Sequence, residues 1–591
     1  MKYFKKKLFL GLPIMLIMGS LVSCGSTGDT VQSNTDNVQS ATVKADTDGI
    51  TTFTFFGVKP RPEINDKNDV REIIAEKTGV RLMENWLSSQ SGQSEEEAIE
   101  NIIAGGNYPD FIDGGDGSQL LYEQGVLIPW DEYLESGKYP NLEAYYTDDE
   151  WDMFRCEDGH IYWCNVFQNT KGASTETMHN DEAFWIQARV LAWDNYPKIE
   201  TLDQYFDLLE RYIKANPTDV DPQGNTRELI PYTCLCETGR FFCIENAPQF
   251  LDGYPNDGTV MVDYTTDPSN PQVLDYNTTE TARRYFAKLN EEYKKGIVDP
   301  EFATQNYDEY LGKLSDGVVL GMCDQYWDFM DIIDTQKSLG VDEMGCSYIP
   351  LGLTIEEGMD NRWHTYGDTL NVSSGIGVTT ACKDPDLAFS FLNAMLDQEI
   401  HDLRFWGVEG VDYLVDENGL FYRTDEIRKK VSDDSYKKKH LCQYGYMPQY
   451  GGTSDDGLNA NIPNEQPSEF IESLPEPVAE CFKAYGVKSY PQMIGSIEEI
   501  KQPWFPMWSY SNSMTDATAG GEAWTKMNET KRKWLPMLVM SSDFDADWEE
   551  YQNEYAACEP EAFLGEMQAE LNRRAGKENN VYEEKSQSEE Q

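Results

Sequence analysis

The sequence predicts an α/β protein of two lobes, each a mostly parallel sheet flanked by helices, with a helical region at its C-terminal end. Three observations carry this expectation. Between Phe53 and Ile112 the apolar periodicity switches repeatedly between two residues and about 3.6, the alternation of strand and helix that builds parallel sheets. The ~540 residues that follow the N-terminal segment exceed what one hydrophobic core holds. From Trp504 onward the pattern is mainly helical, with Trp504, Trp508, Trp524, Trp534 and Trp548 distributed through it.

At the N-terminus, Lys2, Lys5, Lys6 and Lys7 precede an apolar run from Leu8 to Met18, too short to span a bilayer as a mature helix. This is the form of an export signal, residues 1–23. It ends in Leu21-Val22-Ser23-Cys24-Gly25, small residues before a cysteine whose thiol can accept a diacylglyceryl group, and Cys24 is the expected lipidation site. Residues 24–50 are Ser, Thr, Asn, Asp and Gln with single valines, a composition that cannot bury enough surface to fold and reads as a tether. About 25 such residues reach roughly 25 to 30 Å.

In the body, Phe53 and Phe55, then Val70, Ile73 and Ile74, then Val80 and Leu82 read as a βαβ unit. Ser94 and Glu97 form a capping box before Ala98, Ile99, Ile102 and Ile103. Phe111 and Ile112 follow as a short strand. Thr201 and Gln204 cap a helix striped by Leu202, Tyr205, Phe206, Leu209, Tyr212 and Ile213, and another helix runs from about Thr279 to Gly296. Gly317 to Met322 reads as a buried strand with Asp324 to Trp327 as its exit, and Asp384-Pro385 starts a further helix. These elements divide into a first lobe of 51–165 and 345–400, a second of 166–344 and 401–575, and a charged tail, 576–591.

With 104 acidic against 48 basic residues the formal net charge is −56, which excludes nucleic acid as a partner and repels an anionic membrane surface, so membrane association requires the covalent anchor. Of 12 cysteines, Cys24 leaves eleven without the spacing of a disulfide framework; most are expected free and buried. Cys234, Cys236 and Cys243 lie close in sequence, but no His or second CxxC pair stands near them, which favours packing over a metal. No His-Glu zinc motif, Gly-x-Ser-x-Gly elbow or phosphate loop is present.

Several stretches resemble the family 1 extracellular solute-binding lipoproteins of Gram-positive oligosaccharide-type ABC importers. They are Ile103 to Asp110 (IAGGNYPD), Asp158-Gly159-His160-Ile161-Tyr162, Trp406 to Tyr413 (WGVEGVDY) with Asp416 to Gly419, and Asp543 to Tyr551 (DFDADWEEY). The resemblance implies a two-lobed periplasmic-binding-protein-like fold of type II. It also implies a monomeric, non-enzymatic protein on the extracellular face of the cell membrane, delivering an oligosaccharide to importer permease subunits. Some members hold calcium in an Asp-x-Asn-x-Asn loop; Asp221 to Glu228 keeps the first Asp and one Asn, but Gln223 and the lone Glu228 make it degenerate, so no cofactor is expected. An exported glycoside hydrolase and a non-transport adhesin or sensor remain alternatives, since 104 acids make carboxylate pairs uninformative.

Sugar faces pack on aromatic rings, and strand exits in α/β lobes face the crevice. Trp327 follows a predicted strand, Trp363 lies in the polar stretch Asp360 to Asp368, and Trp504 and Trp508 lie in a Pro-broken segment. These four are the ligand-binding candidates, with Trp406, inside the Gly-Val-Glu-Gly stretch, as a fifth that architecture alone would also explain.

Overall fold

A computed structural model describes residues 49–576, apart from 60–66, 89–92, 168, 176, 238, 256–257, 367–369, 496–497, 500–501 and 503. The expected signal, Cys24, all but the end of the tether, and all of the tail but Gly576 lie outside the described residues. Among the described residues no helix is long and apolar enough to cross a membrane.

The expected βαβ unit is β1 (Thr51–Gly57), α1 (Asp69–Thr78) and β2 (Val80–Trp86). Asn68 caps α1 by accepting from the Arg71 N–H, and Gly79, at φ 74°, ends it in the left-handed conformation that glycine tolerates. The Ser94–Glu97 capping box opens α2 (Glu95–Gly105), and β3 (Phe111–Asp113) and β4 (Trp163–Cys164) follow. The chain then passes through β5 (Thr170–Lys171) into β6 (Glu182–Gln187). Next come α3 (Leu202–Ala215), with its Thr201–Gln204 box, the hairpin β7 (Thr218–Val220) and β8 (Thr226–Glu228), α4 (Phe242–Glu245), and α5 (Glu280–Lys295), stopped by Gly296. The strand expected at 317–322 lies at β9 (Gly321–Gln325), and its exit is a short helix, α6 (Tyr326–Phe329), followed by α7 (Ile332–Leu339) and β10 (Tyr348–Leu351).

Beyond β10 come β11 (Thr365–Tyr366), β12 (Ile376–Val378), α8 (Pro385–Ala394) capped by Asp384, α9 (Gln398–Phe405), α10 (Asp434–His440), β13 (Gly451–Gly452) and β14 (Glu498–Glu499). The C-terminal region is helical as expected: α11 (Ala519–Met540), α12 (Phe544–Ala556) and α13 (Pro560–Arg574).

The first sheet has the order β2-β1-β3-β12-β4; β1 pairs parallel with β2 and β3, and β12 is antiparallel to both its neighbours. The second is β9-β6-β10, antiparallel in both ladders and extended by parallel bridges such as Thr233 to Met322 and Tyr232 to Val298. Parallel pairing, as expected in each lobe, thus holds for one half of the first sheet and for the bridges that extend the second, while β6 and β12 run against both their neighbours. The reason is connectivity: β6 carries the chain in from the other sheet, so it runs against the strands beside it.

Each sheet has its own hydrophobic core, one built from Phe53 to Met447 and the other from Ala183 to Leu571. Two segments lie across the expected boundaries. Residues 348–351 pair with β6, so the chain returns to the first sheet between Leu351 and Ile376 and not at 345. Cys442, Tyr444, Tyr446 and Met447, placed by sequence in the second lobe, pack in the first core. They are held there by Arg404, buried at 1% exposure, whose guanidinium donates to the carbonyls of Met395, Gln443, Tyr444, Met447 and Pro448 over 2.7–3.1 Å.

Three stretches cross between the cores: 165–181, 352–375 and the segment after Tyr450. Two pairs of short parallel strands form among them, β5 with β13 and β11 with β14. Here His179 and His364 meet with their Nδ1 atoms 3.0 Å apart. His179 Nε2–H donates to the Glu182 carbonyl at 2.9 Å, so its Nδ1 accepts from His364. Burial, and for His179 also His364, lowers His179 to about 3, and burial lowers His364 to about 4; both rings are neutral in the fold.

Replacing Arg404 by Met leaves five carbonyls without their donor and is expected to reduce the free energy of unfolding by about 3–5 kcal/mol in urea titration. A loss under about 0.5 kcal/mol would show the guanidinium to be dispensable. Because both histidines titrate below their unfolded value of about 6.5, they stabilise the fold fully above that pH and progressively less as pH falls through about 4 and 3. Stability measured from pH 7 to pH 4 should therefore fall less steeply in His179→Asn than in the wild type; equal slopes would contradict the pair's role.

Candidate functional site

The carboxyl ends of the strands of the first sheet and the equivalent ends of the second bring charged and aromatic side chains together between the two cores. From the first sheet come Lys59, just after β1, Glu95 at the start of α2, Asp113 at the end of β3 and Asp116 beyond it. Lys59 is ion-paired with Glu95, which also accepts from the Asp116 N–H at 3.1 Å. Burial works against both charges, but Glu95 with Asp116 raises Lys59, and Lys59 with the Asp116 N–H and Arg240 lowers Glu95. Burial pushes Asp113 up to about 6 and also raises Asp116, with Glu95 adding to both.

From the second core come Arg240, Tyr307, Trp327 and Asp328. Arg240 Nε donates to Asp328 Oδ1 at 2.8 Å and its guanidinium lies 3.6 Å over the Tyr307 ring, whose hydroxyl donates to the Asp328 carbonyl at 2.6 Å. The two sets feel one another: Arg240 acts on Lys59 and Glu95, Lys59 on Asp328, and Arg532 of α11 on Asp116. At one side Lys437 of α10, whose carbonyl accepts from Asn68 beside the first sheet, reaches across to an ion pair with Asp334 of α7. Beneath Arg240, Cys243 Sγ lies 3.2 Å from Asp324 Oδ1, and Tyr310 donates to Asp324 Oδ2 at 2.6 Å.

An aromatic group stands beside these charges. Trp86, which ends β2, meets Phe55 at 5.1 Å and Tyr446 at 4.9 Å between ring centroids, and Phe167 stands edge-on to Tyr446 at 5.0 Å and is 39% exposed. The close seat of Trp86 over β1 requires glycine at position 57, where a Cβ would lie 2.5 Å from the indole ring. Phe167 also lines a cavity of about 450 Å³ beside the crossing strands, with Asn141, Tyr145, Tyr146, Lys171 and Tyr450.

The structure separates the five tryptophans singled out by sequence. Trp327 is half-buried next to Asp328, its indole donating to Gln325 and its ring 5.7 Å from Phe242. Trp508 is half-buried at the start of the short helix Trp508–Ser511. The other three are buried. Trp363 is 0% exposed, stacked on Phe250 at 4.2 Å and bonded to the Leu353 carbonyl. Trp504 is 1% exposed against Tyr264 and Phe505. Trp406 is 0% exposed, bonded to the Ala460 carbonyl, and its Gly-Val-Glu-Gly stretch is a turn in which Asp412 accepts from the Val408 N–H at 2.9 Å. A polar or Pro-broken neighbourhood says nothing about the ring at its centre, which buries wherever a core receives it. Trp86, Lys59, Glu95, Asp116 and Arg240 were missed, although Trp86 satisfies the same strand-exit criterion that selected Trp327.

The degenerate calcium loop is the β7–β8 turn. Asp221 accepts from the Asn225 backbone and side chain at 2.7 and 2.9 Å, Gln223 donates its amide to the Leu339 carbonyl, and Arg227 in the same hairpin pairs with Asp219. This donor set does not fit a cage of six or more oxygens. All eleven described cysteines are free. Cys243 gathers with Asp324 and Asp328, and it also acts on Cys234, which hydrogen-bonds Cys236.

No family profile matches the sequence, and no curated protein does. Solved structures share the fold. The Streptococcus pneumoniae ABC-transporter substrate-binding protein FusA in complex with kestose superposes with a TM-score of 0.58 at 17% identity, over 88% of this chain and 99% of that one. The alginate-binding protein AlgQ2 without calcium ion gives 0.56 at 14%, over 88% and 98%. An HMO-binding, ABC-transporter-associated solute-binding protein from Bifidobacterium longum infantis gives 0.54 at 13%, over 89% and 99%. The fold is that of the periplasmic-binding-protein-like solute-binding proteins, with a helical C-terminal region.

Trp363→Ala is expected to reduce unfolding free energy by about 3–5 kcal/mol, the cost of deleting a buried indole. Trp327→Ala should cost well under half as much, and the reverse order would exchange their assignments.

Proposed function

We propose that this chain is a lipid-anchored solute-binding protein that captures an oligosaccharide between its two cores and delivers it to an ABC importer. The observation that carries the reading is the meeting of strand ends from both sheets, Lys59, Glu95 and Asp116 on one side and Arg240, Asp328 and Trp327 on the other, across a junction of three crossings. Such a junction permits closure by rotation, and the ligand is then held by groups from both sides. Aromatic faces at Trp86, Phe167 and Trp327 suit the apolar faces of sugar rings, while Asp116, Glu95 and Arg240 suit hydroxyls. The solute-binding proteins that share the fold, with kestose, alginate and HMO in their names, support a carbohydrate ligand.

Capture requires no catalytic step, and the ion pair with Lys59 keeps Glu95 ionised, which removes it as a general acid. The basic head, apolar run and Cys24 support export and anchoring at the extracellular face of a Gram-positive membrane, where the monomer meets the importer permease.

An oligosaccharide panel screened by thermal shift should yield ligands that raise the melting temperature, since a ligand at 100 times its Kd stabilises by about 2.7 kcal/mol. Against such a ligand, Trp327→Ala and Trp86→Ala should each weaken binding by about 2 kcal/mol, roughly thirty-fold. Normal affinity in both would move the site elsewhere. Cys24→Ser should shift the protein from the membrane fraction to the medium; retention in the membrane fraction would refute the anchor.

A further inference from the structure

We propose that Cys243, Asp324 and Asp328 form a binding site for a thiophilic divalent cation, best matched by zinc, in the floor of the cleft beneath Arg240. The three residues come from different elements, α4, β9 and α6, and the fold alone brings them together. Each offers one ligand atom, and these atoms all lie within 4.8 Å of one another. Zinc bonds of about 2.0 to 2.3 Å place tetrahedral donors roughly 3.3 to 3.5 Å apart. Cys243 Sγ, which donates to Asp324 Oδ1 at 3.2 Å, lies a few tenths of an ångström inside that spacing, and Asp328 must move inward to complete the set.

A second observation points to a ligand independently. Asp328 is 2% exposed, one of its oxygens is held by Arg240, and its buried Oδ2 has no hydrogen-bond partner among the described residues. Most buried side-chain polar atoms have a partner, and among the described residues Asp328 Oδ2 is one of three buried carboxylate oxygens without one, with Glu292 Oε2 and Asp342 Oδ1. The charges also close: a thiolate and two carboxylates carry three negative charges, Arg240 supplies one positive, and a divalent cation supplies the remaining two. The thiol releases its proton when the metal enters. Outer contacts of the kind that orient metal ligands are in place, with Tyr310 donating to Asp324 Oδ2 at 2.6 Å and Arg240 to Asp328 Oδ1 at 2.8 Å. A sulfur donor selects against calcium and magnesium, and three protein donors leave one position of a tetrahedron open.

The site is separate from the degenerate β7–β8 loop and does not depend on what the cleft binds. The test uses the purified full chain, stripped with chelator and titrated with Zn²⁺ or Co²⁺ alone. One equivalent of zinc should be retained, and cobalt should produce a sulfur-to-metal charge-transfer absorption in the near ultraviolet. Cys243→Ser should abolish that absorption, and Asp328→Asn should weaken zinc binding at least ten-fold with the circular dichroism unchanged. Should Cys243→Ser fail to fold, zinc protection of Cys243 from alkylation in the wild type, read by peptide mass spectrometry, decides the same point. Absence of a charge-transfer band, a band that survives Cys243→Ser in the folded protein, or alkylation of Cys243 unchanged by zinc would each overturn the proposal.

Discussion

A single buried guanidinium sets the shape of the first core. Arg404 has five N–H donors and each meets a backbone carbonyl, from Met395, Gln443, Tyr444, Met447 and Pro448. No carboxylate is among them, and burial lowers the guanidinium only to about 10, so it remains charged at neutral pH. A charge taken from water is tolerable when every donor is satisfied, and five carbonyl dipoles supply that satisfaction. In return, residues 443–448, which have no regular hydrogen-bond ladder of their own, are fixed against the first core. Tyr446 is thereby placed against Trp86, and Gly451 at the start of the crossing strand β13.

The chemistry between the cores follows from where strands end. Side chains just beyond a strand's carboxyl end are free of ladder geometry and point into the space the opposing sheet also faces. Here that space holds Lys59 and Arg240 in a chain with net charge −56. Both are paired within their own side, Lys59 with Glu95 and Arg240 with Asp328, so closure does not force two bare cations together. The Lys437–Asp334 pair joins the two sides outside this set. These paired cations stand beside Trp86, Phe167 and Trp327.

Local signals reported local structure well. The helices at 95–105, 202–215 and 385–394 begin at the polar caps read from the sequence, because a cap is a bond between residues two or three apart. The strand after residue 317 was misplaced by a few residues, since short apolar runs in buried strands lack a sharp boundary signal. Strand direction around β6 and the membership of residues 348–351 and 442–447 depend on which sheet a segment joins, and that is not written in any short window.

The candidate site divides along the same line. The sequence by itself determined the acidic composition and the alternation of strands and helices, because composition and periodicity are properties of neighbours along the chain. Only the tertiary structure decided that Trp363, Trp406 and Trp504 are fully buried while Trp86 and Trp327 are half-buried. It alone brought Lys59 near Arg240 and gathered Cys243, Asp324 and Asp328, residues up to 85 positions apart, into one group. The physical reason is that burial and electrostatic contact are set by distances in space, and two sheets joined by three crossings bring together side chains that no sequence spacing relates.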